Sequence, residues 1–301
     1  MSIAALAALS LKVSLLLIVL STGMSGRRGD IATLLRSPGL LFRSLLSMLV
    51  LAPVLAVALA TTRELSHPVK IALVMMAVSP VPPFLPGKEL RAGGQRPYII
   101  SLLAISALLS IVTIPLTLDV LSRVFGLSLS IPAMAIATPV AITVLIPLVA
   151  GLILQRLAPA FCASWARVVS IVGAVLLLVG AIPQLYHMMP AFRQLVGDGT
   201  LAVIAGFSIF TLLIGHLLGG PVPEDRTVLA LCTATRHPFV AIALAQANFG
   251  SERLAAPAIF LALLVTLVAS APYVAMRRRQ HAPSVAKVPP PRHHPPVRHS
   301  W

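Results

Sequence analysis

Ser79-Pro80-Val81-Pro82-Pro83-Phe84-Leu85-Pro86 interrupts one long apolar span of the chain, and Thr233-Ala234-Thr235-Arg236-His237-Pro238-Phe239 interrupts another. Proline gives no N–H to the preceding helical turn, and its ring clashes with that turn. Pro80, Pro82, Pro83 and Pro86 together therefore exclude a regular helix through the first stretch. In the second, a threonine-rich approach ends in a cation, an imidazole and a proline, all within apolar flanks.

The flanks decide what those breaks sit in. Of the 301 residues, 58% are hydrophobic and 10% charged, and the mean hydropathy is +0.97. A soluble domain carries roughly a quarter of its residues as charges, so lipid is the solvent for much of this outer surface. Sheet edges would leave N–H and C=O groups unpaired in lipid. The apolar runs are long and continuous, unlike the short alternating strands of a barrel. The expected fold class is an all-α integral membrane protein. A hydrocarbon core of about 30 Å asks for about 20 apolar residues per crossing. Nine segments meet that demand, at residues 3–23, 38–61, 69–92, 96–120, 131–156, 164–187, 199–219, 225–249 and 254–276.

The net charge of +15 would point to nucleic acid in a soluble protein. Here the basic residues lie in short connections and in the tail, where they act as orientation signals, so no nucleic-acid partner is expected. One set of alternate connections holds Arg27, Arg28, Arg36, Lys88, Arg91, Arg96, Arg156, Arg226 and the tail from Arg277. The other holds Arg63, Lys70, Arg123, Arg193 and Arg253. The richer set is expected in the cytoplasm, which puts the N-terminus outside and the C-terminus inside and requires an odd number of crossings. The expected location is the inner (plasma) membrane, with lipids as partners. Lys12, the run Val13 to Leu20 and the small residues after it look like a signal peptide. The basic Gly26-Arg27-Arg28-Gly29-Asp30 that follows is awkward to translocate, so the segment reads as the first crossing.

Arg236 lies about midway along the span from Asp225 to Asn248, which is roughly 36 Å long as helix. An arginine near the bilayer centre costs at least about 2.5–3.5 kcal/mol. It must face the bundle interior, a partner or a water-filled cavity, and broken backbone at that depth must be satisfied by protein or water. The breaks fall in the third and eighth segments. Five crossings separate them, so the two copies run in opposite directions through the membrane. Paired interrupted helices in an inverted repeat mark a secondary transporter with its substrate site where the breaks meet; two unrelated kinks in a structural bundle are the alternative. On this reading residues 1–276 form a transporter domain, with repeat one at about 1–120, lacking its first helix, and repeat two at about 131–276. Residues 277–301 form a disordered basic Pro- and His-rich tail.

Four further stretches carry a resemblance. They are Leu17-Ile18-Val19-Leu20-Ser21-Thr22-Gly23-Met24, the loop from Asp30 to Leu35-Arg36-Ser37-Pro38, Pro147-Leu148-Val149-Ala150-Gly151-Leu152, and Asp225-Arg226-Thr227-Val228-Leu229-Ala230-Leu231 leading into the second break. In order and spacing they resemble the bile acid:sodium symporter family, of the superfamily that includes arsenite exporters and auxin-type carriers, from about Lys12 to Arg277. The resemblance implies an inverted-repeat fold of ten helices, nine in members lacking the first. Two discontinuous helices, here the third and eighth, cross near the midplane between a panel and a core domain. It also implies two sodium sites, and here the sequence departs from the pattern. The first break has no asparagine, Cys232 stands where a glutamate would, and Arg236 and His237 stand where a Gln-Asn pair would. Sodium needs oxygen ligands, and a guanidinium repels it, so no sodium or other metal site is carried over.

The expected function is secondary transport of a small organic anion, with the coupling ion open between proton and sodium and the residues favouring the proton. Arg236 supplies the fixed positive charge, either as a fork for a substrate carboxylate or as a clamp on orphan carbonyls of the two breaks. His237 is the side-chain type that, unperturbed, titrates near neutrality, and it is expected as a proton carrier. Thr233, Thr235, Gln246 and Asn248 add polar groups, and Pro80, Pro82 and Pro83 shape the opposing break. A transport-inactive sensor or scaffold that kept the fold is the alternative. No enzyme is expected: HExxH, GxSxG and paired acids are all missing, and no cofactor is implied. Cys162 and Cys232 make no disulfide framework or metal spacing.

Overall fold

A computed structural model describes residues 3–281 apart from 28, 63, 64, 127 and 198. Arg28, Arg63, Glu64, Asp198 and the chain from Ala282 onward lie outside the described residues, and so do the expectations attached to them.

The described residues are all-helical. In chain order they form α1 (Ile3–Met24), α2 (Pro38–Leu45 and Ala52–Thr62, joined by a π turn at Leu46–Leu51), α3a (His67–Val78) and α3b (Pro86–Arg91). Then come α4 (Arg96–Phe125), α5 (Ala133–Val140 and Ile146–Leu157, joined by a π turn at Ala141–Leu145), α6 (Pro159–Leu195) and α7 (Thr200–Leu218). The chain continues through α8a (Pro223–Ala234) and α8b (Pro238–Asn248) to α9 (Ala255–Ala269, continued by Ala271–His281). Eight of these are long and apolar enough to span a membrane, with α8a and α8b counted as one, and α3a is a shorter apolar helix, interrupted before α3b. Regular helix thus continues to His281, five residues into the expected tail.

Burial separates lipid-facing helices from the centre. The apolar window of α6 is only 11% buried, and Trp165, Ile171, Val175, Leu178 and Ile182 point outward from it. The window across α8a and α8b is 83% buried, so polar side chains on that helix meet protein.

The helices group into two bundles. In the first, α1 packs along α5 and α6. Small residues let backbones approach in lipid, and Gly23 and Gly151 do so here: a Cβ on Gly23 would lie 2.4 Å from the Leu148 carbonyl oxygen, and one on Gly151 2.3 Å from that of Leu20. In the second bundle, α2 packs on α3a, α7 on α8a, and α9 on α3a, α7 and α8b. The hairpins α2–α3a and α7–α8a are thus counterparts five crossings apart. The bundles meet mainly through α4 against α5 and α6 against α9.

Candidate functional site

The two breaks touch. Helix α3a ends at Ser79, whose backbone is extended (ψ 155°), and α8a ends at Thr235, also extended (ψ 126°). The His237 N–H donates to the Pro80 carbonyl at 2.9 Å and joins one break to the other. Two carbonyl-bearing helix ends, those of α3a and α8a, therefore converge at this crossing, while α8b begins there with its N-terminal end. Helix C-termini carry partial negative charge and N-termini partial positive charge.

Arg236, only 1% exposed, lies between the carbonyl ends. Its Nε donates to the Thr233 carbonyl at 3.2 Å, Nη1 to that of Ser79 at 3.3 Å, and Nη2 to that of Met48 at 2.7 Å. Each of these carbonyls lacks its usual helical donor for a reason written in the sequence. Thr233 would receive the N–H of His237, which goes to Pro80 instead. Ser79 would receive the N–H of residue 83, a proline. Met48 would receive the N–H of Ala52, but in the π turn that group bonds Ser47, and the next residue, Pro53, has no N–H to offer. One guanidinium thus satisfies three orphan acceptors on three elements.

Thr233 donates its hydroxyl to the Leu229 carbonyl at 2.7 Å and shares a hydrogen bond of 3.1 Å with the Ser47 hydroxyl. The Thr235 hydroxyl and both ring nitrogens of His237 are buried without a hydrogen-bond partner among the described residues. Buried polar groups in native structures are nearly always paired, so these three atoms are acceptors and donors available to a ligand or to water.

His237 lines a cavity of about 440 Å³ between the bundles, walled by Lys12 of α1, Thr143 of α5, Gln184 of α6, Gln246 of α8b and Phe260 of α9. Across the crossing lies a second cavity between the bundles, of about 630 Å³, lined by Lys88, Arg91, Arg96, Arg167 and Arg278. Neither cavity has an acidic residue on its wall among the described residues.

The structure therefore brings Arg236, His237, Thr233, Thr235 and Pro80 to one point. Pro82 and Pro83 are buried in the turn opposite, where the Pro82 carbonyl accepts the Leu85 N–H at 3.2 Å. Gln246 lies farther along the cavity wall. Asn248 is elsewhere: its Oδ1 accepts the Ser130 N–H at 2.7 Å and its Nδ2 donates to the Leu244 carbonyl at 2.9 Å, fixing the α4–α5 connection to α8b.

Four residues join the site that the sequence reading did not place there. Met48 enters through its carbonyl, and Pro53 was the signal for it. Lys12 and Gln184 enter because α1 and α6 face α8b. Glu89 is fully buried (0% exposed); its Oε1 accepts the Cys232 thiol at 2.7 Å and its Oε2 has no partner among the described residues.

The family model described as Sodium Bile acid symporter family matches residues 12–186, more than half of the chain. The match runs from α1 through most of α6 and includes the first break, while the second break lies beyond it. Comparison with curated proteins found no match.

Proposed function

The chain belongs to the sodium bile acid symporter family, and on that premise we propose that it is a secondary transporter of a small organic anion whose coupling ion is the proton rather than sodium. The observation that carries the reading is the guanidinium of Arg236 among three backbone carbonyls from α2, α3a and α8a. Carbonyl oxygens gathered at two helix C-termini are the ligand type that a bound alkali cation takes. Here a covalently tethered cation stands in that position. It cannot enter or leave with a gradient, so a sodium gradient has nothing to drive at this point.

The substrate's place is the cavity beside His237. The N-terminal end of α8b and Lys12 offer positive potential, and the unpartnered imidazole of His237 offers a donor. Apart from Thr143, Gln184 and Gln246 the remaining wall, with Leu11, Leu15, Met188 and Phe260, is apolar. That combination suits an anion with a hydrophobic body. Arg236 contributes its charge from behind, through the crossing, rather than as a fork on the substrate. The Arg-rich side of the bundle faces the cytoplasm, so the His237 cavity opens toward the outside.

The test is uptake of labelled organic anions, cholate among them, into proteoliposomes under sodium and pH gradients applied separately. The expected result is uptake that ignores sodium and follows the pH gradient. Sodium-driven uptake would overturn the coupling. No uptake under either gradient would overturn transport and favour a sensor or scaffold that kept the fold.

A further inference from the structure

Glu89 is the acid that transport through the crossing leaves unexplained. Helix α3b is short, and its residues 87, 88, 90 and 91 line the basic cavity, while Glu89 points the other way, toward α8a. Its carboxyl contacts the Cys232 thiol through Oε1, and Oε2 has no hydrogen-bond partner among the described residues. The neighbouring cation, Lys88, turns its amine to the Ser270 hydroxyl.

The elements packed on α3b supply no replacement. From α4 comes Tyr98, hydrogen-bonded to Ser44 at 2.8 Å, and Arg96, bonded to the Ser25 carbonyl. From α8a come Glu224, Asp225, Arg226 and Cys232; Arg226 donates to the Gly220 carbonyl. From α9 come Tyr273, paired with His216; Arg277, engaged by Thr227, Pro223 and Gln280; Arg278, in the basic cavity; and His281, against Glu224 at 3.4 Å. None of these cations makes an ion pair with Glu89. An ionised carboxylate so placed has one thiol donor and no ion-paired cation, less than a buried charge needs, whereas a protonated carboxyl needs no cation. Nor is this a place for a metal ion: a hard cation asks for several oxygen ligands, and Glu89 has a thiol beside it.

Glu89 is also tied to the substrate site. Cys232 lies in the last turn of α8a, and Arg236, just beyond the end of that helix, folds its Nε back onto the Thr233 carbonyl of the same turn. Arg236 carries a fixed charge, its hydrogen bonds go to neutral carbonyls, and Glu89 is the acid that reaches the same turn, through Cys232. One buried cation balances one anion, either the Glu89 carboxylate or a substrate anion beside His237, and two anions there would repel through low-dielectric protein.

We propose that Glu89 binds the coupling proton, and that proton binding at its carboxyl and anion binding in the His237 cavity assist one another. This rests on the transport reading above. With the substrate bound, Glu89 holds the proton on Oε2; when the substrate leaves, the O–H bond breaks, the proton passes to water admitted between α3b and α8a, and the carboxylate becomes the counter-ion of Arg236. Anion and proton therefore travel together, and by linkage each strengthens binding of the other.

The deciding experiment compares wild type with Glu89→Gln, which can still accept the Cys232 thiol and should keep the wild-type melting temperature. Infrared difference spectra of the protein in liposomes, recorded between acid and alkaline buffer, should show a carboxylic-acid C=O band that Glu89→Gln lacks and Glu89→Asp shifts. The same set of titrating bands in Glu89→Gln and wild type would overturn the proposal. With labelled cholate as the probe, wild type should accumulate substrate under a pH gradient, while Glu89→Gln should exchange it to equal concentrations without accumulation. Accumulation by Glu89→Gln under that gradient would also overturn the proposal. Wild-type uptake indifferent to pH would instead sink proton-coupled transport, and the infrared titration would still decide whether Glu89 exchanges a proton.

Discussion

Arg236 resolves a conflict that its own residue type creates. A charge near the middle of a membrane is costly, yet three orphan carbonyls at the same place are costly as well, at about 1–3 kcal/mol for each buried acceptor left unsatisfied. Placing the one among the others cancels much of both. Arg236→Met should therefore destabilise the protein by about 3 kcal/mol, visible as a lower melting temperature in detergent. A more pointed check replaces the side chain by something small. In Arg236→Ala the carbonyls have room for a diffusible cation, so sodium or guanidinium ion should raise the melting temperature, while wild type should not respond to sodium. A sodium-dependent rise in wild type would mean that a cation site exists apart from the guanidinium. The depth of Arg236 was legible from its position between Asp225 and Asn248, and the clamp was one of two roles its chemistry allowed. Glu89 was not legible. Between Lys88 and Arg91 it reads as an interfacial residue, and its burial follows from how the proline break redirects α3b toward Cys232, a contact between residues far apart in the chain.

The elements around the crossing owe their irregularity to proline. The breaks at 79–86 and 233–239 were readable because prolines there cannot be absorbed by a helix. The π turn in α2 was not read, because a single proline in a long apolar helix is compatible with a simple kink. Its consequence is specific: Ala52 bonds Ser47, and the Met48 carbonyl is released to Arg236. Pro53→Ala restores an N–H, so α2 can return to regular α-helical pairing and take the Met48 carbonyl back. Removing an interior proline ordinarily favours a helix by about 3 kcal/mol. The expected phenotype is thus a melting temperature equal to or above wild type, together with reduced anion uptake. Full uptake by Pro53→Ala would show that the π turn is dispensable to the site. The helix α5 repeats the arrangement, with Ile146 bonding Ala141 and Pro147 following, so the Ile142 carbonyl is released in the same way.

On the scale of the whole molecule, the third-to-eighth spacing implied two oppositely directed copies, and the hairpins α2–α3a and α7–α8a pack accordingly. The partition into two bundles was harder to see, because every crossing is similarly apolar and nothing in composition assigns α1 to α5 and α6. What assigns it is close approach, of α1 to α5 at Gly23 and Gly151 and of α1 to α6 at Gly173 and Gly180. The His237 cavity and the basic cavity both lie in the seam between the bundles, on opposite sides of the crossing. A transporter must open one side of its site at a time, and a seam with a cavity at each end does so if one bundle tilts against the other about the crossing. Ala8 of α1 and Ala256 of α9 face the same cavity from opposite bundles. With both replaced by cysteine, a short bifunctional thiol reagent should join the bundles on that side and stop uptake. Either single replacement, treated identically, should transport normally, since the native Cys162 and Cys232 are buried. Uptake at the full rate by the cross-linked protein would mean that the seam does not open there, and that the substrate reaches the crossing by a route within one bundle.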